Sequence, residues 1–220
     1  TSDIEKENTV HLPSPPDSED FMLRARPGER EARLRVLTVA PDYTRSIETM
    51  TFPVRNGFVD FTAAADVALV AIFQRHGQGG GRSLVPVQGV GLRRGAVATT
   101  VSHDSHNLLV IGQDVDDMAL AARTLAECGG GICAVNEGEI RALLPLPIAG
   151  LMSPDPLETV VAQMKVLNVA LRDQGITAKQ PISPIIALAL PVIPNYGVTD
   201  LGLVDVNAQR VLSIWPESAD

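Results

Sequence analysis

DVDDMALAARTLAECGGGICAV, the stretch Asp114–Val135, joins a predicted helix directly to a predicted strand. Asp114 is a residue type that caps helices, and the apolar residues after it recur with the 3.6-residue helical period as far as Glu127. Gly129 stands where a glycine commonly ends a helix, and Ile132–Val135 is a short apolar run typical of a strand. The stretch therefore predicts an amphipathic helix that packs on a β-sheet.

Upstream of this stretch, apolar segments separated by turn residues predict a series of strands. Alternating apolar and polar residues favour a strand at the first of them, and Arg55-Asn56-Gly57 is a hairpin-turn sequence between two others. The candidate strands are Arg33–Ala40, Ile47–Val54, Phe58–Phe61, Ala68–Phe73, Leu84–Val90 and Ala96–Val101. The first half of the chain is therefore expected to be rich in β-structure.

Downstream, a tight turn leads into a further candidate strand, Ile140–Leu144, and a second helix follows. Asp155 and Pro156 form a helix start, with Asp155 as the cap and Pro156 in the first turn. This helix is predicted to end at Gly175. Its apolar stripe consists of Leu157, Val160, Val161, Met164, Leu167 and Leu171. The apolar run Ile185–Leu190 fits either a short helix or a strand.

The order of these elements predicts an α+β (mixed α/β) fold, with a β-rich first half and a sheet covered by helices from the second half. It does not predict a (β/α)8 barrel. Residues 1–20 are polar and contain three prolines, so we expect an extended N-terminal arm, with the domain proper at 21–220. Because the chain starts with Thr1 rather than Met, we expect a processed chain or a fragment of a longer protein.

Composition and charge argue against several classes of protein. A net charge of −8 gives a surface that repels phosphate, which argues against nucleic acid as a partner. No apolar run reaches the roughly 18 residues that span a bilayer, and no signal peptide is visible. The two cysteines, Cys128 and Cys133, are expected to be buried free thiols of a cytoplasmic protein. A group of arginines interleaved with acids predicts a solvated surface: Arg24, Arg26, Arg30, Arg33 and Arg35.

The segment Ser102–Asn107, SHDSHN, is the first candidate functional site. It contains two of the four histidines, His103 and His106, with a carboxylate between them. Imidazole and carboxylate are common ligands of zinc, manganese and iron, so the two histidines can converge on one ion. Alternatively, Asp, Ser and Asn side chains hold a turn together by hydrogen bonds. A nucleophilic Ser105–histidine pair is disfavoured, because no orienting third group is evident.

A second candidate group, Arg75 and His76, lies between an apolar run and the glycine stretch Gly77–Gly81. These side chains can face a pocket at the end of a strand, and a surface role is the alternative. The glycine stretch lacks the Lys-Ser/Thr ending of a phosphate-binding loop, which favours a flexible or closely packed loop. Gly129–Gly131 is predicted to stop a helix and allow a close backbone contact, and Pro145–Ser153 to form a rigid connector.

Several specific segments follow one another along nearly the whole chain. They are Asn8-Thr9-Val10, Arg75-His76-Gly77, GAVATTVSHDSHN (95–107), DDMAL (116–120) followed by Gly129–Gly131, PLPIAGLMS (145–153), PVIP (191–194), Thr199-Asp200 and Gly202-Leu203. Together these segments resemble the C-terminal domain of bacterial and archaeal adenine deaminases, which belong to the amidohydrolase superfamily. HDSHN paired with PLPIAGLMS is the most specific part of the resemblance.

The resemblance implies a (β/α)8 barrel that precedes this domain in the full-length protein and holds a two-metal centre. Metal-activated water there attacks C6 of adenine, which releases ammonia and leaves hypoxanthine, a hydrolysis used in purine salvage. The family's barrel ligands include a His-x-His pair, and no such pair occurs among His11, His76, His103 and His106. The resemblance therefore implies that the divalent metal (manganese, iron or zinc) is bound mainly by the barrel, and that this chain alone is inactive.

Within this chain, the resemblance implies that the domain packs against the barrel and helps form or close the purine site. The residues expected near substrate or metal are His103, Asp104, Ser105, His106, Asn107, Arg75 and His76. His103 and His106 are the candidate metal ligands among them. The implied partners are the barrel of the same protein, adenine, and further copies of the protein in a homo-oligomer.

Two other functions stay open at this point. The chain can be a stand-alone, non-catalytic binding or assembly module derived from the same domain, as its acidic surface and the missing barrel suggest. It can also be an independent small metalloenzyme that uses the HDSHN segment and His76 as ligands.

Overall fold

The computed structural model describes residues 8–62, 64, 66–79 and 81–216. Residues 1–7 of the predicted arm lie outside the described residues, as do Gly80 of the glycine stretch and residues 217–220 of the predicted domain. The strands are β1 (Glu31–Val39), β2 (Arg45–Arg55), β3 (Phe58–Val59), β4 (Val67–Phe73), β5 (Arg82–Gln88), β6 (Ala96–Thr99), β7 (Leu108–Gly112), β8 (Gly131–Asn136), β9 (Glu139–Pro145), β10 (Tyr196–Thr199), β11 (Gly202–Asp205) and β12 (Arg210–Leu212). The helices are α1 (Val115–Cys128), α2 (Leu157–Asp173) and α3 (Ser183–Leu188), and a short 3₁₀ helix at Ser18–Phe21 precedes β1.

Two open sheets carry the architecture. A nine-stranded sheet has the order β3-β2-β1-β5-β4-β7-β6-β8-β9, and β10-β11-β12 form a small second sheet. Neighbouring strands pair antiparallel, with the exception of the parallel pair β1–β5. The described residues form no closed barrel. The predicted α+β fold with a β-rich first half is confirmed.

The large sheet is covered on both faces. Successive residues of β4 alternate between two buried clusters: Val70 and Ile72 belong to one, Leu69 and Ala71 to the other. The first cluster also contains side chains from α2, α3 and the small sheet, and the second contains those of α1. Because each fully buried aliphatic side chain contributes roughly 2 kcal/mol, these two cores supply most of the driving force for folding. The predicted covering of the sheet by helices is therefore confirmed.

Two kinds of local signal are also confirmed, at the ends of α1 and at the hairpin turn between β2 and β3. The Asp114 side chain accepts hydrogen bonds from the amides of Asp116 and Asp117, at 3.0 and 2.9 Å, and so caps α1. Gly129 ends α1 in the left-handed conformation, with φ of 83°. The hairpin between β2 and β3 turns at Asn56-Gly57, where both residues have positive φ, as a two-residue turn of this kind requires.

The prediction for α2 is partly wrong. Its N-cap is Pro156 with no capping side chain, and Asp155 instead donates its amide to Ser153 Oγ at 3.1 Å. The predicted stripe is only half correct, because Leu157 and Val161 are 73% and 43% exposed. The buried side of the helix lies further round, at residues such as Leu167, Ala170 and Leu171.

Other elements were not predicted at all. The central strand β7 is a continuous apolar run buried on both faces, and it directly follows the polar HDSHN segment. The strands of the small sheet have only three or four residues each. The run Ile185–Leu190, which fitted either a helix or a strand, is helical as far as Leu188, where α3 ends.

The surface and cysteine predictions are largely confirmed. Arg24, Arg26, Arg30 and Arg33 are exposed, whereas Arg35 is half-buried. Both cysteines are free thiols, of which Cys133 is buried and Cys128 half-buried. Burial raises the pKa of the Cys133 thiol to about 12, so this thiol stays protonated and unreactive at neutral pH.

Candidate functional site

The HDSHN segment (His103–Asn107) forms the loop between β6 and β7, two strands of the sheet interior. His103, Asp104 and Ser105 are exposed, His106 is half-buried and Asn107 is buried. The loop is closed by its own hydrogen bonds, from the His106 amide to the Ser102 carbonyl at 2.7 Å and from the Asn107 amide to Ser105 Oγ at 3.4 Å. These bonds confirm that the segment is a hydrogen-bonded turn.

Strand pairing brings Arg75 and His76 to the same loop. β4 lies beside β7 and pairs Phe73 with Leu108, so the residues just after β4 meet those just before β7. His76 Nε2 lies 2.8 Å from the Ser105 carbonyl oxygen, and Arg75 Nε donates to the His106 carbonyl. The two sequence-predicted groups therefore form one site.

Arg75 lies buried beneath the loop, with only 2% of its surface exposed. Besides His106 it donates to the Thr9 carbonyl at 3.0 Å, to Thr9 Oγ1 at 2.9 Å and to the Ala149 carbonyl at 3.0 Å. In the described part of the chain, no carboxylate forms an ion pair with Arg75. Burial lowers the pKa of Arg75, but a guanidinium remains charged at neutral pH.

His106 is the electrostatically distinct imidazole of the loop. Burial lowers its pKa below the ordinary value, and the positive charges of His103, Arg75 and His76 act in the same direction, against the opposing effect of Asp104. The rings of His103 and His106 meet edge to face, with centroids 5.4 Å apart. A histidine with a lowered pKa is neutral at physiological pH, so His106 can donate and accept hydrogen bonds or bind a metal through a free nitrogen.

Three buried polar atoms of the same segment have no hydrogen-bond partner in the described part of the chain. They are Ser102 Oγ, His106 Nδ1 and Asn107 Oδ1. A buried polar group without a partner costs on the order of 1–3 kcal/mol, so such atoms are uncommon unless something else satisfies them. Three of the seven such atoms in the described residues therefore lie within these six residues. Ser102 was missed as a candidate, although it lies in the segment that the sequence singled out.

Two glycine segments support the site from the side. Thr100 Oγ1 donates to the Gly150 carbonyl at 2.6 Å and accepts from the Gly131 amide at 2.8 Å. A Cβ atom at Gly130 would lie 2.6 Å from the Cα of Gly150, and a Cβ at Gly150 would lie 2.9 Å from Arg75 Nη2. The close backbone contact predicted for Gly129–Gly131 is therefore observed, and only glycines permit it.

The described residues do not make a metal centre of their own. Across residues 8–62, 64, 66–79 and 81–216, no group of three or more His, Cys, Asp or Glu side chains is arranged to hold an ion. Ser105 Oγ accepts from the Asn107 amide, and in the same ranges no hydrogen bond joins this oxygen to a histidine ring. In those ranges, too, none of the helices combines the length and apolarity needed to cross a membrane.

Fold and site together define an α+β domain that presents a polar histidine loop on a buried arginine. The family model described as the adenine deaminase C-terminal domain matches residues 43–210. The chain belongs to this family, and the resemblance noted from its segments is confirmed.

Several curated relatives are named adenine deaminase. The chain is 44% identical over 200 residues to one from Moorella thermoacetica, covering 90% of this chain and 33% of the relative. It is 37% identical over 214 residues to one from Clostridium botulinum, covering 96% of this chain and 35% of the relative. It is 49% identical over 147 residues to one from Cereibacter sphaeroides, covering 67% of this chain and 26% of the relative. The chain thus spans about a third of the length of the relatives it matches.

Proposed function

We propose that this chain acts as the C-terminal domain of an adenine deaminase, which converts adenine and water to hypoxanthine and ammonia. The observation that carries the proposal is the coverage: 90% of this chain aligns with only 33% of a relative named adenine deaminase. The remainder of such a protein has room for the amidohydrolase barrel with its two-metal centre. In this proposal residues 21–220 are the domain, residues 1–20 are its arm, and the assembled protein is a cytoplasmic homo-oligomer.

The domain's part in the reaction is to help form or close the purine site with the HDSHN loop. His103, Asp104 and Ser105 are exposed and free to contact the barrel or substrate, and the loop's unpaired buried atoms supply hydrogen-bonding capacity to an approaching partner. Adenine presents ring nitrogens and an exocyclic amine, which need both donors and acceptors. A neutral His106 provides one of each.

A metal requirement fits the family, but not a complete centre in this chain. The described residues bring together two loop imidazoles, those of His103 and His106, without a third ligand-type side chain in position. We therefore propose that manganese, iron or zinc is held mainly by barrel residues, and that His103 or His106 adds at most a supporting contact.

The test uses the complete gene product that contains this chain. Ammonia release from adenine is measured for the wild type, His103→Ala and His106→Ala, together with the metal content of each protein. We expect both variants to lose deaminase activity with the metal retained. His11→Ala is the matched control, because His11 is exposed and joins the site only through its backbone. Unchanged kinetics and metal content in both loop variants would overturn the proposed role of the loop.

A second candidate function, a non-catalytic binding or assembly module, is favoured by one observation. The outer side of α2 exposes Leu157, Val161, Val166 and Val169, of which Leu157 is 73% exposed. Exposed apolar side chains of this kind are common where proteins associate. A complete gene product that shows no adenine deaminase activity with any of the three metals, and that assembles through α2, would favour this function over the first.

A further inference from the structure

A buried cation beneath the HDSHN loop needs an explanation beyond packing. We propose that Arg75 is a positioning residue: it holds the backbone of the HDSHN loop in one conformation from below, without itself touching substrate. The purpose of holding the loop rests on the proposed function. The holding role of Arg75 itself is inferred from the contacts of this chain alone.

The contacts of Arg75 tie together segments that are far apart in sequence. Its donors reach the carbonyls of Thr9 and Ala149, the hydroxyl of Thr9 and the carbonyl of His106. Each of these segments is irregular backbone, outside the named strands and helices. The fork of a guanidinium can satisfy acceptors in several directions at once, whereas an ammonium is a single point donor. The guanidinium is therefore the part of Arg75 that the site requires.

The space around Arg75 is shaped for this arrangement. Gly150 packs against the guanidinium so closely that a Cβ atom would lie 2.9 Å from Nη2 and 3.0 Å from Cζ. With 2% of its surface exposed, Arg75 has no open face toward a ligand. Its effect on chemistry must therefore pass through the residues that it holds.

The loop above Arg75 is one that needs holding. His106 has φ of 51°, a left-handed conformation that a non-glycine residue adopts at a cost of about 1–2 kcal/mol. Strained backbone of this kind persists only when surrounding contacts over-determine it. At His106 those contacts are the amide bond to the Ser102 carbonyl and the carbonyl bond from Arg75. Removing the second leaves His106 itself with the backbone bond to Ser102, and the rest of the loop with the bonds at Ser105.

A matched pair of variants tests the proposal in the complete gene product. Arg75→Lys keeps the charge and loses the fork, and Arg45→Lys makes the same change at another buried arginine whose partners are also carbonyls. Amide hydrogen exchange is measured across the HDSHN loop. We expect about tenfold faster exchange there in Arg75→Lys and wild-type exchange in Arg45→Lys. Equal loop exchange in both variants, whether raised or unchanged, would overturn the proposal.

Steady-state kinetics supply the second measurement. A displaced loop weakens contacts in the bound and reacting states alike, so Arg75→Lys should lower kcat/KM for adenine by about 10- to 100-fold with bound metal unchanged. Arg45→Lys should leave kcat/KM at the wild-type value. A wild-type protein without deaminase activity would overturn the proposed function, and loop exchange would still decide the role of Arg75.

A milder variant covers the case in which Arg75→Lys does not fold. Thr9 is linked to the loop through Arg75, because its carbonyl and hydroxyl both accept from Nη1. Thr9→Val removes the hydroxyl acceptor, and we expect faster amide exchange in the loop despite the distance in sequence. In a folded Arg75→Lys background, the same substitution should have no further effect on loop exchange. Wild-type loop exchange in Thr9→Val would count against the proposal.

Discussion

Two buried arginines in this domain use the same physical device for different ends. Arg45 and Arg75 are 3% and 2% exposed, and burial lowers the pKa of each. Arg45 donates to the carbonyls of Ala187, Leu190 and Tyr196, which lie at the end of α3 and the start of β10. Arg75 donates to carbonyls and one hydroxyl of loops, among them the HDSHN loop. Neither has a carboxylate partner in the part of the chain that the structure describes.

The two arginines differ in the segments to which their hydrogen-bond partners belong. Two partners of Arg45 belong to α3 and β10, which pack on the sheet, and Leu190 lies between these elements, so that Arg45 ties one covering layer to β2. The partners of Arg75 include a loop that carries one exposed and one half-buried imidazole, and that contains buried polar atoms without a partner in the described residues. In both cases a buried cation bonded to carbonyls holds together segments that are distant in sequence. In our proposal, only the segments that Arg75 holds include a loop that acts in the reaction.

The largest expected effect is loss of stability at both arginines. Arg75→Met and Arg45→Met keep much of the side-chain volume but leave several buried carbonyls without donors, which should lower the free energy of unfolding by about 3 kcal/mol in each case. Urea denaturation measures the loss. Under the proposed function, the comparison predicts similar losses of stability, but a change in the deaminase kinetics of the complete gene product for Arg75→Met alone. Impaired kinetics in a folded Arg45→Met protein would contradict the distinction between the two arginines.

Glycine substitutions test the packing around Arg75, with a smaller expected effect. Gly150 and Gly138 have nearly equal φ values of 72° and 73°, but only at Gly150 would a Cβ atom meet Arg75. Gly138→Ala should cost about 1 kcal/mol for the left-handed conformation alone. Gly150→Ala should cost about 3 kcal/mol, because the contact with the guanidinium adds to the same conformational cost. Thermal or urea unfolding of the two variants measures the difference, and equal losses would mean that the guanidinium yields without cost.

Thr100 should show a smaller effect. Its hydroxyl joins the Gly150 carbonyl to the Gly131 amide in a fully buried setting. Thr100→Val keeps the shape and leaves both groups without that partner, so the free energy of unfolding should fall by about 2 kcal/mol. Thr124→Val is the control, because the Thr124 hydroxyl donates to the Leu120 carbonyl within α1. Its loss should be under about 1 kcal/mol, since a helical carbonyl keeps its backbone hydrogen bond. Equal losses in the two variants would deny Thr100 its supporting role.

The sequence predicted those parts of the molecule that depend on neighbouring residues. The cap at Asp114, the turn at Asn56-Gly57 and the alternating apolar residues of β1 are local signals, and the structure contains all of them. The HDSHN loop was singled out as a candidate site because polar, ligand-type side chains are dense there. What failed depends on tertiary contacts: β7 is a uniform apolar run without a period, and the buried side of α2 is set by the sheet beneath it.

The burial of Arg75 also depends on tertiary contacts and could not be predicted from neighbouring residues. In sequence, Arg75 and His76 look alike as polar residues beside a glycine stretch, yet one is buried and the other exposed. The outcome is decided by Thr9 and Ala149, which approach from distant parts of the chain, and by the missing side chain of Gly150. No local pattern around residue 75 carries that information, although the glycine stretches hinted that backbones approach closely.

The smallest expected effect concerns the pH dependence of stability through His106. Its pKa in the folded protein is lowered from 6.5, so the unfolded chain binds the proton more readily. This imidazole therefore contributes no pH dependence well above pH 6.5, and it destabilises the fold progressively as the pH falls below that value toward the folded pKa. Urea unfolding of the wild type and His106→Asn is measured between about pH 7.5 and 5.5, roughly one unit on either side of the ordinary histidine pKa, and stability should decline less steeply in the variant.

The same pKa separates the two arginines once more. Burial is the largest cause of the lowered pKa of His106, and the charge of Arg75 is among the others, together with those of His103 and His76 and against that of Asp104. Arg75→Met removes one of the repelling charges, so the pKa of His106 should move back toward its ordinary value, whereas Arg45→Met should leave it where it is. An NMR titration of the His106 ring proton in the two variants measures both. Equal titrations in the two variants would mean that the charge of Arg75 is screened from the loop, and that its hold on His106 is mechanical alone.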